Sequence, residues 1–207
     1  MLTLDEAFAE MPLIAIVRGV KPDEILGVAE ALYDAGVRIV EAPLNSPSPL
    51  DSIAKMKAFE GKMIYGAGTV LTPAQVDAVV DASGTIIVSP NTNPAVIRRA
   101  VERKAVPMPG FATATDAFAA LEAGARHLKL FPADTYGPKH LKALGAVLPK
   151  DAILLPVGGV GPASMREWWE AGARGFGLGS DIYKPGMTPA DVKQRALAAV
   201  AAVNALR

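Results

Sequence analysis

The chain has 207 residues, enough to bury one substantial core and short for two. Its 21 Lys+Arg balance 21 Asp+Glu, so no net field gathers nucleic acid or an anionic membrane. Cysteine is absent and His127 and His140 are the only histidines, which excludes disulfides, thiol catalysis, thiolate metal sites and a histidine-rich metal cluster.

In chain order, the segment LDEAFAEM near the amino terminus predicts a short extra helix covering the bottom of the fold. Its acidic residues have the wrong charge for a secretion signal, and no apolar run approaches the roughly 20 residues of a membrane helix. With the missing cysteines, this suits a cytoplasmic protein whose partners are small molecules or copies of itself. Strands are predicted at residues 13–17, 39–44, 63–66, 85–89, 105–108, 127–131, 153–157 and 175–178. The runs Ile86-Ile87-Val88 and Ile153-Leu154-Leu155 are apolar at successive positions, as parallel strands covered on both faces require. Helices between them announce their starts. Thr72-Pro73, Asn93-Pro94 and Thr188-Pro189 each set a capping side chain before a proline, and Thr113 with Asp116 has the spacing of a capping box. In one helix Val96, Ile97, Ala100 and Val101 form the apolar side. The SPSPL segment at residues 46–50 reads as a loop entering a helix. Eight βα units of about 25 residues predict an α/β fold, a single (β/α)₈ TIM barrel with a short N-terminal helix, as one domain over residues 1–207. A flat doubly wound sheet is the competing architecture.

Three helix-to-strand junctions repeat a pattern: DAGVRIVEAPL, EAGARHLKLFP and EAGARGFGLGS. Glycine ends each helix. Five residues beyond Gly36, Gly124 and Gly172 come Glu41, Lys129 and Gly177, which predicts equal depth in three strands, towards the ends where barrel enzymes place chemistry. A buried Lys–Glu ion pair, or a lysine reaching solvent, would explain the charges without chemistry. Yet two charges inside an apolar barrel are costly, and a desolvated lysine offers a neutral nucleophilic amine that can attack a ketone.

After the seventh strand VGGVGP supplies Gly158 and Gly159, and after the eighth GLGSD supplies Gly179 and Ser180. In a barrel these loops commonly bind phosphate through backbone N–H groups, although tight turns alone also use glycine. Arg18 ends the first strand, where its guanidinium suits a carboxylate. Thr69 and Pro90 close the third and fourth strands as a hydroxyl and a rigid wall for a small keto acid, or as turn residues. Phe131 is either packing, like Met108 and Phe111, or a wall of the site. Trp168 and Trp169 read as packing or subunit contact, His127 as a satisfied core residue and His140 as facing water.

VEAPLNS, GAGTVL, VSPN, LKLFPAD, VGGV and GLGSDIY occur in the order seen in the KDPG/KHG aldolase family, the pyruvate-dependent class I aldolases acting on 2-dehydro-3-deoxy-6-phosphosugar acids. The chain resembles this family over nearly its whole length. The resemblance implies that Lys129 is a Schiff-base lysine and Glu41 a general acid/base. It implies that Arg18 and Thr69 hold the carboxylate, that Gly158, Gly159, Gly179 and Ser180 bind phosphate, and that no cofactor or metal is used. It implies a homotrimer as well. Asn45 stands where phosphogluconate-cleaving relatives usually carry arginine, which points to the galactonate epimer with Arg18 sharing the carboxylate. Two other functions fit the same barrel: a phosphosugar isomerase or epimerase, and a non-catalytic barrel that binds an anionic metabolite.

Overall fold

The computed structural model describes residues 2–207; Met1, the first residue of the expected domain, lies outside the described residues. Helix α1 (Leu4–Glu10) precedes strand β1 (Leu13–Ile16), and strands and helices then alternate up to β5: α2 (Ile25–Asp34), β2 (Ile39–Pro43), α3 (Pro49–Lys55) with a 3-10 turn at Met56–Phe59, β3 (Ile64–Gly68), α4 (Pro73–Asp81), β4 (Ile86–Val88), α5 (Pro94–Glu102) and β5 (Val106–Met108), which β6 (Gly110–Phe111) follows directly. The remainder is α6 (Ala114–Glu122), β7 (His127–Leu130), α7 (Ala133–Gly145), β8 (Ile153–Pro156), α8 (Met165–Glu170), β9 (Phe176–Leu178) and α9 (Pro189–Asn204).

The closed eight-stranded barrel expected from the sequence is not formed. The ladders make a curled half-barrel of six parallel strands, in the order β5-β4-β3-β2-β1-β9, and a separate three-stranded sheet, β6-β7-β8. The strand expected at residues 105–108 ends before Pro109, and the short β6 beyond it is not among the expected strands. Before Pro109, Met108 pairs with Val88 of β4; after it, Gly110 pairs with Lys129 of β7, so the chain changes partners at a residue that has no N–H to donate. On the other side the sheets meet through one isolated bridge, Val157 to Gly177. There the Val157 side chain crowds the face of Gly177, with its Cγ2 2.7 Å from where a β-carbon would be.

Ile14, Ile39, Ile64 and Ile86 of the large sheet and Leu155 of the small one meet in one buried cluster, which Leu4, Ala7 and Phe8 of α1 join. The N-terminal helix therefore plugs one end, as its sequence predicts. Thr3 and Glu6 hold it with a reciprocal capping box. A larger core lies between the strands and the outer helices. Each large aliphatic side chain taken from water there contributes about 1.5–3 kcal/mol.

The helix starts follow the chemistry of the sequence. Thr72, Thr113 and Thr188 cap α4, α6 and α9 in capping boxes, and the short Asp116 carboxylate still reaches the Thr113 N–H at 2.9 Å. Asn93 caps α5 through the Ala95 N–H at 3.0 Å. Val96, Ile97 and Ala100 of α5 are buried, but Val101 is not; it lies 47% exposed over the turn at Gly124. Gly36, Gly124 and Gly172 adopt φ of +99°, +108° and +109°, the left-handed helix ends read from the repeat.

Candidate active site

Lys129 sits in the middle of β7, its N–H bound to the Pro109 carbonyl at 2.9 Å, and its side chain is 7% exposed. Glu41 sits in the middle of β2 and is 1% exposed. Both line a small cavity of about 10 Å³ walled by Ile14, Ile16, Met108 and Leu155. Lys129 also opens onto a larger cavity of about 410 Å³, so its amine stands between an apolar interior and a mouth that can admit a molecule. The Lys129 Nζ lies 4.8 Å from the centre of the Phe131 ring, which covers it with the aromatic face.

Depth within the sheets differs from the count along the repeat. Ile16 pairs with Glu41, whereas Gly177 is level with Ile14 and so with Ile39. Strands that run at a slant to one another do not conserve depth by residue number. Gly177 nevertheless lines both cavities beside Lys129, because its missing side chain leaves room.

Burial dominates the electrostatics of the pair. It pushes the Glu41 carboxyl up to about 7, against the opposing pull of Lys129, Arg18 and the Gly68 backbone. Burial likewise lowers Lys129 below the ordinary lysine value; Glu41 raises it in part and Arg18 lowers it further. Both residues are thus moved towards their neutral forms. One Glu41 oxygen, Oε2, has no hydrogen-bond partner, which is costly unless something outside the chain uses it.

Around the mouth the structure gathers Arg18, Phe131, Gly158, Gly159, Gly179 and Ser180 with Lys129 in one cavity. Gly158 and Gly159 take φ of +96° and +71°, and a β-carbon at Gly159 would run into Asp134. The Gly179 carbonyl accepts the N–H groups of Ile182 and Tyr183 at 3.0 and 2.9 Å, which folds the segment after β9 into a turn around Ser180. Arg18 donates through Nη1 to the Asn45 side-chain oxygen, and the next residue, Gly19, donates its N–H to Ser46 Oγ at 2.9 Å. The loops after β1 and β2 are therefore tied side by side. Asn45 itself lines neither cavity, and neither do Thr69 and Pro90. Thr69 holds φ +59°, a left-handed conformation uncommon for a β-branched residue, and its neighbour Val70 binds Val88 at 3.1 Å.

The two histidines depart from their sequence reading. His127 is buried and stacked on Phe8, and neither ring nitrogen has a partner; burial lowers its pKa. His140 turns back to the Ala112 carbonyl at 2.6 Å rather than to water. The mouth also contains Asp181, the last residue of the GLGSD loop, together with Tyr183 and Lys184, to which the sequence assigned no role. The available signal was position: they follow Ser180 directly in GLGSDIYK. Among the described residues no cluster of three or more His, Asp or Glu is arranged to hold a metal.

Comparison with known proteins places this geometry in a family. Residues 4–202 match the model of the KDPG and KHG aldolases. The chain is 50% identical over 198 residues to a probable 2-dehydro-3-deoxy-6-phosphogalactonate aldolase of Rhizobium meliloti, covering 95% of this chain and 93% of that one. It is 50% identical over 194 residues to the 2-dehydro-3-deoxy-6-phosphogalactonate aldolase of Escherichia coli strain K12, covering 93% and 95%. A solved structure described as native KDPGal superposes with a TM-score of 0.94 at 48% identity, covering 95% of this chain and 96% of that one. The chain belongs to the KDPG and KHG aldolase family and is, with it, an aldolase, a lyase.

Proposed function

We propose that the protein cleaves 2-dehydro-3-deoxy-6-phosphogalactonate to pyruvate and D-glyceraldehyde 3-phosphate through a Schiff base on Lys129. One observation carries this reading: a buried lysine amine, moved towards its neutral form, shares a cavity with a buried carboxylate that has an oxygen to spare. The Lys129 amine attacks the C2 ketone of the bound acid, and loss of water leaves an iminium that draws electrons from the C3–C4 bond. Glu41, directly or through a water, takes the proton of the C4 hydroxyl; the C3–C4 bond breaks, the aldehyde leaves, and an enamine of pyruvate remains. Protonation at C3 and hydrolysis return the free amine.

The mouth suits a substrate charged at both ends. Arg18, oriented by Asn45, takes the carboxylate, with Thr69 and Pro90 closing the neighbouring strand ends and Phe131 covering the chain. Gly158, Gly159, Gly179 and Ser180 line the same cavity and bind the phosphate through their backbone N–H groups. Asn45 in place of the arginine usual in gluconate-cleaving relatives supports the galactonate epimer, as do the relatives named for it. We further read the protein as cytoplasmic and trimeric; no helix among the described residues is long and apolar enough to cross a membrane. Light scattering at three times the chain mass tests the assembly.

The central experiment is incubation with pyruvate and borohydride, followed by peptide mapping. A reduced adduct on Lys129, lost in Lys129→Ala, is expected; an unlabelled Lys129 in active protein overturns the reading. Turnover of the galactonate and gluconate epimers side by side decides the substrate.

A further inference from the structure

The outer end of the mouth carries a charge problem that its glycines do not solve. Asp181 lines the cavity beside Ser180, so a phosphate held there meets a carboxylate, while backbone N–H groups bring no net charge to offset it. Two of the cations lining the cavity are engaged elsewhere in the reaction: Lys129 with the keto carbon and Arg18 with the carboxylate. Arg195 is taken up by the carbonyls of Ser180 and Asp181, at 3.2 and 3.5 Å.

Lys184 remains. Its backbone is fixed: the N–H lies 3.3 Å from the Met187 sulfur, and the carbonyl accepts the Met187 N–H at 3.1 Å. Both neighbours in the chain are anchored across the mouth. Pro185 packs so closely on Gly19 that a β-carbon there would be 2.7 Å away, and the buried Tyr183 points its hydroxyl at the Glu24 carboxylate, 3.4 Å off. The Lys184 side chain itself is exposed, lines the cavity with Gly159 and Ser180, and among the described residues pairs with no carboxylate. A pinned backbone carrying an exposed lysine with no carboxylate partner, at the wall of a cavity that is to take a dianion, is the arrangement of a charge reader.

We propose that Lys184 is a specificity-determining residue that recognises the phosphate and sets the preference for phosphorylated over unphosphorylated substrates. The inference rests on the aldolase reading above and adds to it. Its test is the synthesis reaction of pyruvate with D-glyceraldehyde 3-phosphate or with D-glyceraldehyde, in the wild type, Lys184→Ala and Lys184→Arg. The ratio of kcat/KM for the phosphorylated over the unphosphorylated aldehyde falls about tenfold or more in Lys184→Ala, and Lys184→Arg recovers most of it. Inhibition by inorganic phosphate weakens by a similar factor in the alanine variant. A ratio unchanged in Lys184→Ala, or an equal loss with both aldehydes, overturns the proposal. Pyruvate trapping on Lys129 keeps the two ideas apart: intact trapping with an unchanged ratio refutes only the role of Lys184, whereas absent trapping in the wild type refutes the aldolase mechanism.

Discussion

The carboxylate of Glu41 lies directly against Gly68, in space that a β-carbon at position 68 would occupy. The slot exists because β2 and β3 pair in register with Glu41 beside Gly66 and Pro43 beside Gly68, which brings the Glu41 side chain over a stretch of β3 where both facing residues lack one. Gly68→Ala therefore displaces the carboxylate without touching Lys129. Turnover is expected to fall by about a hundredfold, the usual result of misplacing a reacting group by an ångström, while pyruvate still traps on Lys129. Wild-type turnover in the folded variant would show that the position of Glu41 does not matter.

A proton acceptor must be ionised to act. With its carboxyl pushed up to about 7 by burial, Glu41 gains the active form as pH rises through neutrality, so kcat/KM should rise across that range. Glu41→Gln keeps imine formation, loses most turnover, and loses this rising limb. A pH profile of the variant that retains the limb assigns it to another group.

The same displacement makes a prediction about stability. The folded protein holds the Glu41 proton more tightly than the unfolded chain, whose ordinary value is 4.5, so stability is fully present below 4.5 and falls as pH rises towards about 7. A displacement of that size corresponds to about 3 kcal/mol at most. Glu41→Gln should therefore unfold at higher denaturant concentration than the wild type at pH 8, with the gap closing near pH 4.5. Equal midpoints at both pH values would mean that burial of the carboxyl carries no cost.

Arg18 is solvent-exposed and its orientation rests on Asn45. Asn45→Ala should leave the charge in place but free the guanidinium, raising the KM for pyruvate in the synthesis direction by roughly three- to tenfold with little change in kcat. Arg18→Lys keeps the charge and loses the fork that meets a carboxylate at two points, and should raise KM further. Steady-state kinetics with pyruvate as the varied substrate checks both.

Much of this molecule is local and so can be read along the chain. Caps act over three residues, which is why Thr72, Thr113 and Thr188 mark their helices correctly from sequence. Strand identity rests on short apolar runs, and glycine at a helix end is required by the sign of φ; together they place Glu41 and Lys129 on strands before any coordinates. What depends on partners across space is not written that way. Pro109 breaks a ladder only because Met108 and Gly110 have different neighbours, so the expected closed barrel becomes a six-stranded half-barrel and a second sheet.

The amino-acid sequence by itself determined the βα alternation, the helix ends, and the presence of one lysine and one glutamate on strands otherwise rich in apolar residues. Only the tertiary structure decided that these two share a cavity, that Gly68 makes room for the carboxylate, that Asn45 aims Arg18, and that Lys184 stands at the mouth. The reason is range: dihedral preferences and capping bonds act within a few residues, whereas desolvation and register arise from chain segments far apart in sequence and exist only once those segments are packed.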